Sequence, residues 1–207
     1  NLDIMCFNNT DKKSSSKYNH PRFLNNIKSI SNDYPLGYFT IEALEDSLTA
    51  KLSTNTCEYR IDDGSWNTLS AGSNTASINK GQTLSFKGNL IPTSSNGIGT
   101  FNINKKCSAQ GNIMSLIYGD NFVGQTTFNG GTYNFCSMFK KAKCVSAENL
   151  IMPVNTLTQY CYRAMFSHAE IFATPPVLPA TTLAAKCYFY MFEGTTITTA
   201  PDLLATS

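Results

Sequence analysis

The feature that most constrains this chain is a repeat in its C-terminal third. Residues 161–166 (CYRAMF) return 26 positions later as residues 187–192 (CYFYMF). The same interval separates three further pairs: Ile171 and Ile197, Pro175 and Pro201, Leu178 and Leu204. An earlier and more divergent copy includes residues 138–139, which match residues 165–166 after one inserted residue. Because a 26-residue unit cannot bury its own apolar face, the repeat predicts a solenoid of stacked coils with one shared core.

Each coil contains three kinds of segment. The spacing of Tyr162, Met165 and Phe166 suits one face of a short helix. Ile171 and its counterpart Ile197, which have Thr and Ala residues nearby, fit a short strand. The proline-rich residues 174–179 cannot continue a helix and are expected to form an extended corner. The predicted coil is therefore a strand, a Pro corner and a short helix.

Residues 37–128 have a different sequence pattern, in which short segments of β-forming residues are separated by residues typical of turns. This pattern is typical of a small antiparallel sandwich or barrel, and we expect a β-sandwich. Asp63-Gly64 lies between two such segments and predicts a hairpin in which both residues have positive φ. The strand candidates are residues 38–44, 50–52, 57–61, 76–78, 82–86, 99–103 and 112–118.

The chain as a whole is expected to be mainly β and to have three parts. Residues 1–36 are polar, without apolar periodicity, and read as an N-terminal arm or tether. The β-sandwich module follows at 37–128, and the repeats occupy 129–207, where the last copy is cut off. An uncapped solenoid leaves two interpretations open: further repeats follow, or another subunit covers the end.

Composition excludes several classes of function. Charged residues are 14% of the chain, against about 25% in an average domain, and the net charge is +2. This net charge is too small to provide the positively charged surface that binding to a nucleic-acid backbone requires. No run of 18 apolar residues is present, so no membrane span is predicted. The seven cysteines form no CxxC pair, and we expect most of them to be small buried residues rather than zinc ligands.

No residues suggest catalysis, a metal or a cofactor. His20 and His168 are separated by most of the chain, and neither has a nearby nucleophile and base. Residues 62–64 (DDG) lack the spaced acidic ligands of a calcium loop. Residues 97–99 (GIG) fall short of a dinucleotide fingerprint. The sequence therefore predicts a non-enzymatic protein without a cofactor.

Three aromatic residues are candidates for contact with a ligand or partner. Trp66 and Tyr59 could form a platform for a sugar ring, since such side chains combine a flat face with a polar tip. The alternative is that Trp66 packs in the sandwich core. Tyr190 replaces Ala164 of the preceding copy, so the repeat does not require it to be buried.

Residues 178–201 (LPATTLAAKCYFYMFEGTTITTAP) closely resemble the BspA-type leucine-rich repeat of gut anaerobes and their phages. Residues 39–46 (FTIEALED), 58–69 (EYRIDDGSWNTL) and 85–101 (SFKGNLIPTSSNGIGTF) resemble the β-rich module that often precedes such repeats. The resemblance covers residues 37–207. This copy departs from the repeat at residues 167–170, where a Gly-Cys-Thr-Ser-like turn is usual.

The resemblance implies a leucine-rich-repeat-like solenoid in a noncatalytic protein of adhesion, host contact or assembly. We expect a phage virion component of the head or tail fibre type, anchored by its arm and displayed on the virion surface. The alternatives are a bacterial cell-surface adhesin and a carbohydrate-binding module. Expected partners are other subunits of an assembly, including copies of the same chain, and a host-surface protein or glycan.

Overall fold

A computed structural model of the chain describes residues 37–170 and 175–205. The predicted arm at 1–36, Cys6, His20 and Ile171 lie outside these residues. The described part is mainly β, as the sequence predicted, and contains one four-residue helix. Its elements are β1 (Phe39–Ala43), β2 (Ala50–Leu52), β3 (Cys57–Ile61), β4 (Asn67–Leu69), β5 (Thr83–Lys87), β6 (Phe101–Ile103), β7 (Cys107–Asn112), α1 (Ser115–Tyr118) and β8 (Cys144–Ile151), with 3-10 turns at Ser94–Asn96 and Gly119–Asn121.

Six strands form a mixed sheet in the order β4-β3-β5-β1-β7-β8, and β2 pairs separately with β6. All pairs are antiparallel except β7 with β8, which is parallel. The antiparallel pairing predicted for residues 37–128 is found between the strands of that range. The parallel pair forms where β7 meets β8 of the repeat region. The cause is the long connection between the two strands, which contains α1 and gives the chain room to cross over. Strand β8 comes from the first copy of the repeat.

The predicted hairpin is confirmed, because β3 and β4 pair with Cys57 opposite Leu69. Its turn differs from the predicted one. The positive φ falls on Asp62, at 47°, and not on Asp63 and Gly64. The Asp62 side chain accepts hydrogen bonds from the backbone N–H and hydroxyl of the first residue of β5, at 2.8 and 3.1 Å. These bonds tie the turn to the neighbouring strand.

The strand prediction at 112–118 is wrong, because this segment turns into α1. The Asn112 side chain accepts a hydrogen bond from the Met114 N–H at 2.9 Å and starts the turn. The buried Ser115 hydroxyl accepts from the Phe39 N–H and donates to the Phe86 carbonyl, both at 2.9 Å. The helix is thereby fixed against β1 and β5. The predicted strand at 76–78 is also absent, and only an isolated bridge forms there.

Four phenylalanines join the sheet, the β2–β6 pair and the repeat region. The ring centroid of Phe101 lies 5.3 Å from that of Phe39 and 5.0 Å from that of Phe86. Phe139, from the repeat region, lies 5.7 Å from Phe39. All four side chains are fully buried. A single buried cluster therefore continues from the sheet into the repeats.

The repeats form three stacked coils, at residues 133–142, 160–169 and 186–195, and none of them contains the predicted short helix. In the second coil, alternate N–H groups donate to the residue three positions back, as Arg163 does to Tyr160. The remaining N–H groups donate to the next coil, as Tyr162 does to Cys187 at 2.9 Å. Every fourth residue has a positive φ, which an α-helix does not allow. These residues are Tyr133, Ser137 and Lys141, then Tyr160, Ala164 and His168, then Lys186, Tyr190 and Gly194.

Equivalent side chains of successive coils stack face to face, with the intervals that the repeat predicted. The Phe139 and Phe166 rings lie 5.3 Å apart, and the Phe166 and Phe192 rings lie 5.7 Å apart, with interplanar angles of 8° and 6°. Tyr162 stacks in the same way on Tyr188, at 5.8 Å. Among the described residues, the strand predicted for each coil is found as β8 of the first copy, and Ile197 of the third copy lies in no strand. Ile171 of the second copy lies outside these residues.

The β-rich module covers the free edge of the first coil. The N–H groups of Ile98 and Phe101 donate to the carbonyls of Asn134 and Met138, at 3.1 and 2.8 Å. Gly97 has a φ of 59°, and a Cβ at this position would lie 2.5 Å from the Tyr133 carbonyl oxygen. Only glycine allows this approach, so Gly97 lets the β-rich module close one end of the stack.

The six cysteines within the described residues are unpaired and buried, which confirms the prediction that most cysteines are small core residues; they are Cys57, Cys107, Cys136, Cys144, Cys161 and Cys187. Burial raises the pKa of Cys57 to about 12. Burial also raises the pKa of Cys187 above its ordinary value. These thiols are therefore protonated at neutral pH. The described residues include no helix with the length and hydropathy needed to cross a bilayer.

Replacing Tyr162 with phenylalanine should raise the free energy of unfolding by about 1 kcal/mol. The Tyr162 hydroxyl is buried and has no hydrogen-bond partner among the described residues, and its burial raises its pKa well above the usual range. Urea denaturation of both proteins measures the change. Tyr118→Phe is the matched control and should be destabilising, because the Tyr118 hydroxyl donates to the Thr127 carbonyl at 2.9 Å. A loss of stability in Tyr162→Phe would contradict the prediction.

Candidate functional site

The three predicted contact residues lie in different places. Tyr59 is 9% exposed, its ring lies 6.5 Å from that of Phe86, and its hydroxyl accepts a hydrogen bond from the Ala76 N–H at 3.0 Å. It therefore belongs to the core face of β3. Trp66 is half-buried and lies outside the core, so the interpretation as a core residue is wrong. Tyr190 lies on the third coil and is 39% exposed, as its departure from the repeat suggested.

Trp66 is surrounded by two cations and a second aromatic ring. The guanidinium carbon of Arg60 lies 5.0 Å from the Trp66 ring centroid, and the Lys87 Nζ lies 4.6 Å from it. The Tyr38 ring meets Trp66 edge-on, with the centroids 5.0 Å apart. The two cationic side chains are only 11% and 12% exposed, and desolvation strengthens such cation–π contacts. The indole ring is thus engaged by the protein itself.

Carboxylates neutralise the cations around Trp66. Asp120 accepts hydrogen bonds from Lys87 Nζ at 2.9 and 3.0 Å and from the Tyr38 hydroxyl at 2.6 Å. The hydrogen bond from Tyr38 contributes most to lowering the pKa of Asp120, and the hydrogen bonds from Lys87 lower it further. Burial and the Asp120 hydrogen bond raise the pKa of Tyr38 to about 12. A further carboxylate, Glu58, lies 3.8 Å from Lys87. The cluster is an ion-pair network that connects β3, β5 and the turn after α1.

A polar groove of about 310 Å³ lies beside this network on the outer face of the sheet, open to solvent. Its lining includes the hydroxyls of Thr40 and Ser85, which are hydrogen-bonded to each other at 2.9 Å. Gln110 and Arg60 add an amide and a guanidinium. Asp62 also lines it; burial opposes its ionisation, but hydrogen bonds from Thr83 and Gln82 outweigh that effect and lower its pKa. The groove can offer hydrogen bonds to a small polar ligand.

A serine, a histidine and a carboxylate meet between the second and third coils. The Ser167 hydroxyl lies 2.9 Å from His168 Nδ1 and 3.3 Å from Glu193 Oε2. A hydrolytic triad places the histidine between the serine and the acid, whereas here the serine lies in the middle and is 1% exposed. This geometry links two coils and is not that of a nucleophile with its base. His168 itself is an exposed turn residue, as predicted.

A cationic and aromatic surface lies at one end of the coils; we call it the Tyr160 patch. The Tyr133 and Tyr160 rings stack with centroids 4.6 Å apart and an interplanar angle of 7°. Two cations lie near the Tyr160 ring centroid, the Arg163 guanidinium carbon at 5.9 Å and the Lys186 Nζ at 5.7 Å. The patch consists of Tyr133, Tyr160, Arg163, Lys186 and Phe189, and Tyr190 packs beside Phe189 at 3.7 Å between ring centroids.

Sequence reasoning selected Tyr190 but missed the rest of the patch. A signal was present, because Tyr133, Tyr160 and Lys186 occupy equivalent positions of the three coils. Recognising it requires knowing that these positions face outward, and the expected helix gave them a different orientation.

We compared the chain with protein-family models, with curated proteins and with solved structures. No match was found in any of the three. The resemblance to BspA-type repeats accordingly stays a prediction, and the function has to be argued from the surfaces described above.

Proposed function

We propose that this chain is a non-enzymatic structural or adhesive protein, most specifically a phage virion component of the head or tail fibre type on the virion surface. In this proposal residues 1–36 anchor the chain, and a β-sandwich followed by a leucine-rich-repeat-like solenoid projects from the particle. The observation that carries the proposal is the open backbone edge of the third coil.

That edge is a row of backbone N–H groups, spaced like the N–H groups that join one coil to the next. In the second coil, five N–H groups donate to carbonyls of the third coil and of Ala185 directly before it; they belong to Tyr160, Tyr162, Ala164, Phe166 and His168. Their counterparts in the third coil have no acceptor within residues 37–170 and 175–205; they belong to Lys186, Tyr188, Tyr190, Phe192 and Gly194. Unpaired backbone edges promote association with another segment of complementary geometry. A further coil, from this chain or from another subunit, would satisfy all five.

The open edge allows extension by one more coil, supplied by this chain or by another subunit. The other end of the stack is already covered by the β-rich module through Ile98 and Phe101. Extension by another subunit is the case that a structural role in an assembly predicts. Extension of this kind also fits the expected homo-oligomer.

Gold-labelled antibodies against the chain test this function on purified phage particles and on uninfected bacteria of the host strain. We expect label on intact particles, and we expect cryo-electron microscopy to place residues 1–36 against another subunit. Label on uninfected cells instead would replace the virion proposal with the bacterial adhesin. A free monomer in lysates with no particle-bound copy would contradict the structural role.

The carbohydrate-binding alternative does not gain support from Trp66. A sugar platform needs an accessible ring face, and the Trp66 ring already contacts Arg60, Lys87 and Tyr38.

A further inference from the structure

We infer that the Tyr160 patch binds an acidic polysaccharide, that is, a sugar chain bearing carboxylate or sulfate groups. The inference deepens the proposed adhesive function and rests on it, because it names the class of ligand that the displayed coils would contact. It is argued from the charge, the backbone bonding and the ring geometry of the patch.

The positive charge of the patch is not compensated. The ion pairs within the described residues involve Arg60 and Lys87, whereas Arg163 and Lys186 have no carboxylate within 4.0 Å there. The Arg163 Nε is buried and has no hydrogen-bond partner in the same part of the chain. Both cations lie within 6 Å of the Tyr160 ring centroid, so two positive charges are concentrated around one aromatic side chain. An anion bound at the patch would be attracted by both of them.

The network around Trp66 is a useful contrast. It also combines two cations with aromatic rings, but Glu58, Asp63 and Asp120 provide its counter-charges. The patch has the same kinds of cation and ring without the acidic residues. The missing component is therefore negative charge, which a ligand can supply.

The backbone N–H groups of the two stacked tyrosines are already engaged, which argues against an extended peptide that pairs with the chain at Tyr133 and Tyr160. The Tyr133 N–H donates to the Gln159 carbonyl at 3.1 Å, and the Tyr160 N–H donates to the Ala185 carbonyl at 3.2 Å. A peptide that binds by strand addition needs free backbone donors and acceptors. Recognition at these two tyrosines must therefore come from side chains, through charge, hydroxyls and ring edges.

The aromatic side chains suit a sugar chain. The stacked rings of Tyr133 and Tyr160 are held nearly parallel, so they present a rigid row of polar tips and ring edges at low conformational cost. Phe189 and the exposed Tyr190 extend the apolar part of this surface onto the third coil. An acidic polysaccharide carries apolar ring faces, hydroxyls and regularly placed anions, which match these three features.

The test measures binding of the purified full chain to polygalacturonate, dextran sulfate, neutral dextran and polyglutamate at low and at physiological ionic strength. We expect binding to at least one of the two acidic polysaccharides, no binding to dextran, and weaker binding as salt is raised. The comparison of polygalacturonate with dextran sulfate identifies the preferred acid. Absence of binding to both would overturn the inference, as would polyglutamate binding of equal strength, which would indicate an acidic peptide.

Variants locate the binding site. Lys186→Gln should weaken binding about tenfold, since it removes one charge-assisted contact from an exposed side chain. Arg163→Gln combined with Lys186→Gln should abolish it, and circular dichroism checks that each variant is folded. Lys80→Gln is the matched control, because Lys80 is an exposed lysine of the β-rich module, and it should bind like the wild type. An equal loss in Lys80→Gln would overturn the assignment to the patch. Because binding is measured on isolated protein, it succeeds or fails independently of the particle-labelling experiment.

Discussion

Replacing Phe139 with alanine should lower the free energy of unfolding by about 4 kcal/mol. This side chain is fully buried at the junction of the β-rich module and the coils. Its ring contacts Phe39 and Phe101 on one side and stacks on Phe166 of the second coil. Truncation removes the transfer free energy of a phenyl group and leaves a cavity that three rigid rings cannot fill. Equilibrium urea denaturation measures the loss.

Tyr190→Ala is the control for this substitution, since it also truncates a coil aromatic but at an exposed position. We expect it to change stability by less than about 0.5 kcal/mol. If Phe139→Ala cost no more than Tyr190→Ala, the shared core between sheet and coils would be refuted. A second transition in Phe139→Ala would show instead that the two regions unfold separately once their junction is weakened.

Replacing Gly97 with alanine should destabilise the protein by about 3 kcal/mol. The position combines a φ of 59° with backbone atoms so close that a Cβ would lie 2.5 Å from the Tyr133 carbonyl oxygen and 3.0 Å from the Cys136 nitrogen. Neither neighbour is a flexible side chain, so the segment has to move away from the first coil. That movement would break the bonds from Ile98 and Phe101 that close the stack. Thermal and urea denaturation both measure the effect.

Gly81→Ala separates the two causes. Gly81 also has a positive φ, of 85°, but a Cβ there would have no atom within 4 Å. It should cost about 1 kcal/mol, the penalty for the backbone conformation alone. Equal losses in the two variants would mean that the close approach to the first coil does not contribute.

The sequence predicted which side chains stack between successive coils, but not the backbone conformation that brings them together. The pairing of Tyr162 with Tyr188 follows from the 26-residue interval, because equivalent positions in a repeat must share an environment. The spacing of Tyr162, Met165 and Phe166 also fits a helix, and apolar periodicity cannot distinguish a helix from successive turns that bring the same residues inward. The positive φ at Ala164 that decides the matter falls on a residue that ordinarily favours helices.

Strands in which apolar and polar side chains alternate were predicted correctly. The prediction failed where hydrogen bonds to distant segments determine the local structure. Residues 50–52 and 57–61 were predicted to the residue, since their apolar positions alternate within turn boundaries. Residues 112–118 look equally strand-like, but the Ser115 hydroxyl is held by backbone groups of two distant strands. No local pattern contains that information.

The candidate surfaces were less predictable than the fold. Trp66 was recognised as important, but its surroundings depend on Arg60, Lys87 and Tyr38, which come from three different segments. Arg163 and Lys186 are 23 positions apart and converge on one ring only because the coils stack. Contacts of this kind follow from the register of the coils, which has to be known first.

The five hydrogen bonds between the second and third coils also bear on mechanical behaviour. They lie side by side across a single interface, together with the stacked pairs Tyr162–Tyr188 and Phe166–Phe192. A tensile force along the axis of the stack would load all of these contacts at once, so no single bond would carry the strain. Separation of the two coils along this axis therefore requires these individually weak contacts to break together.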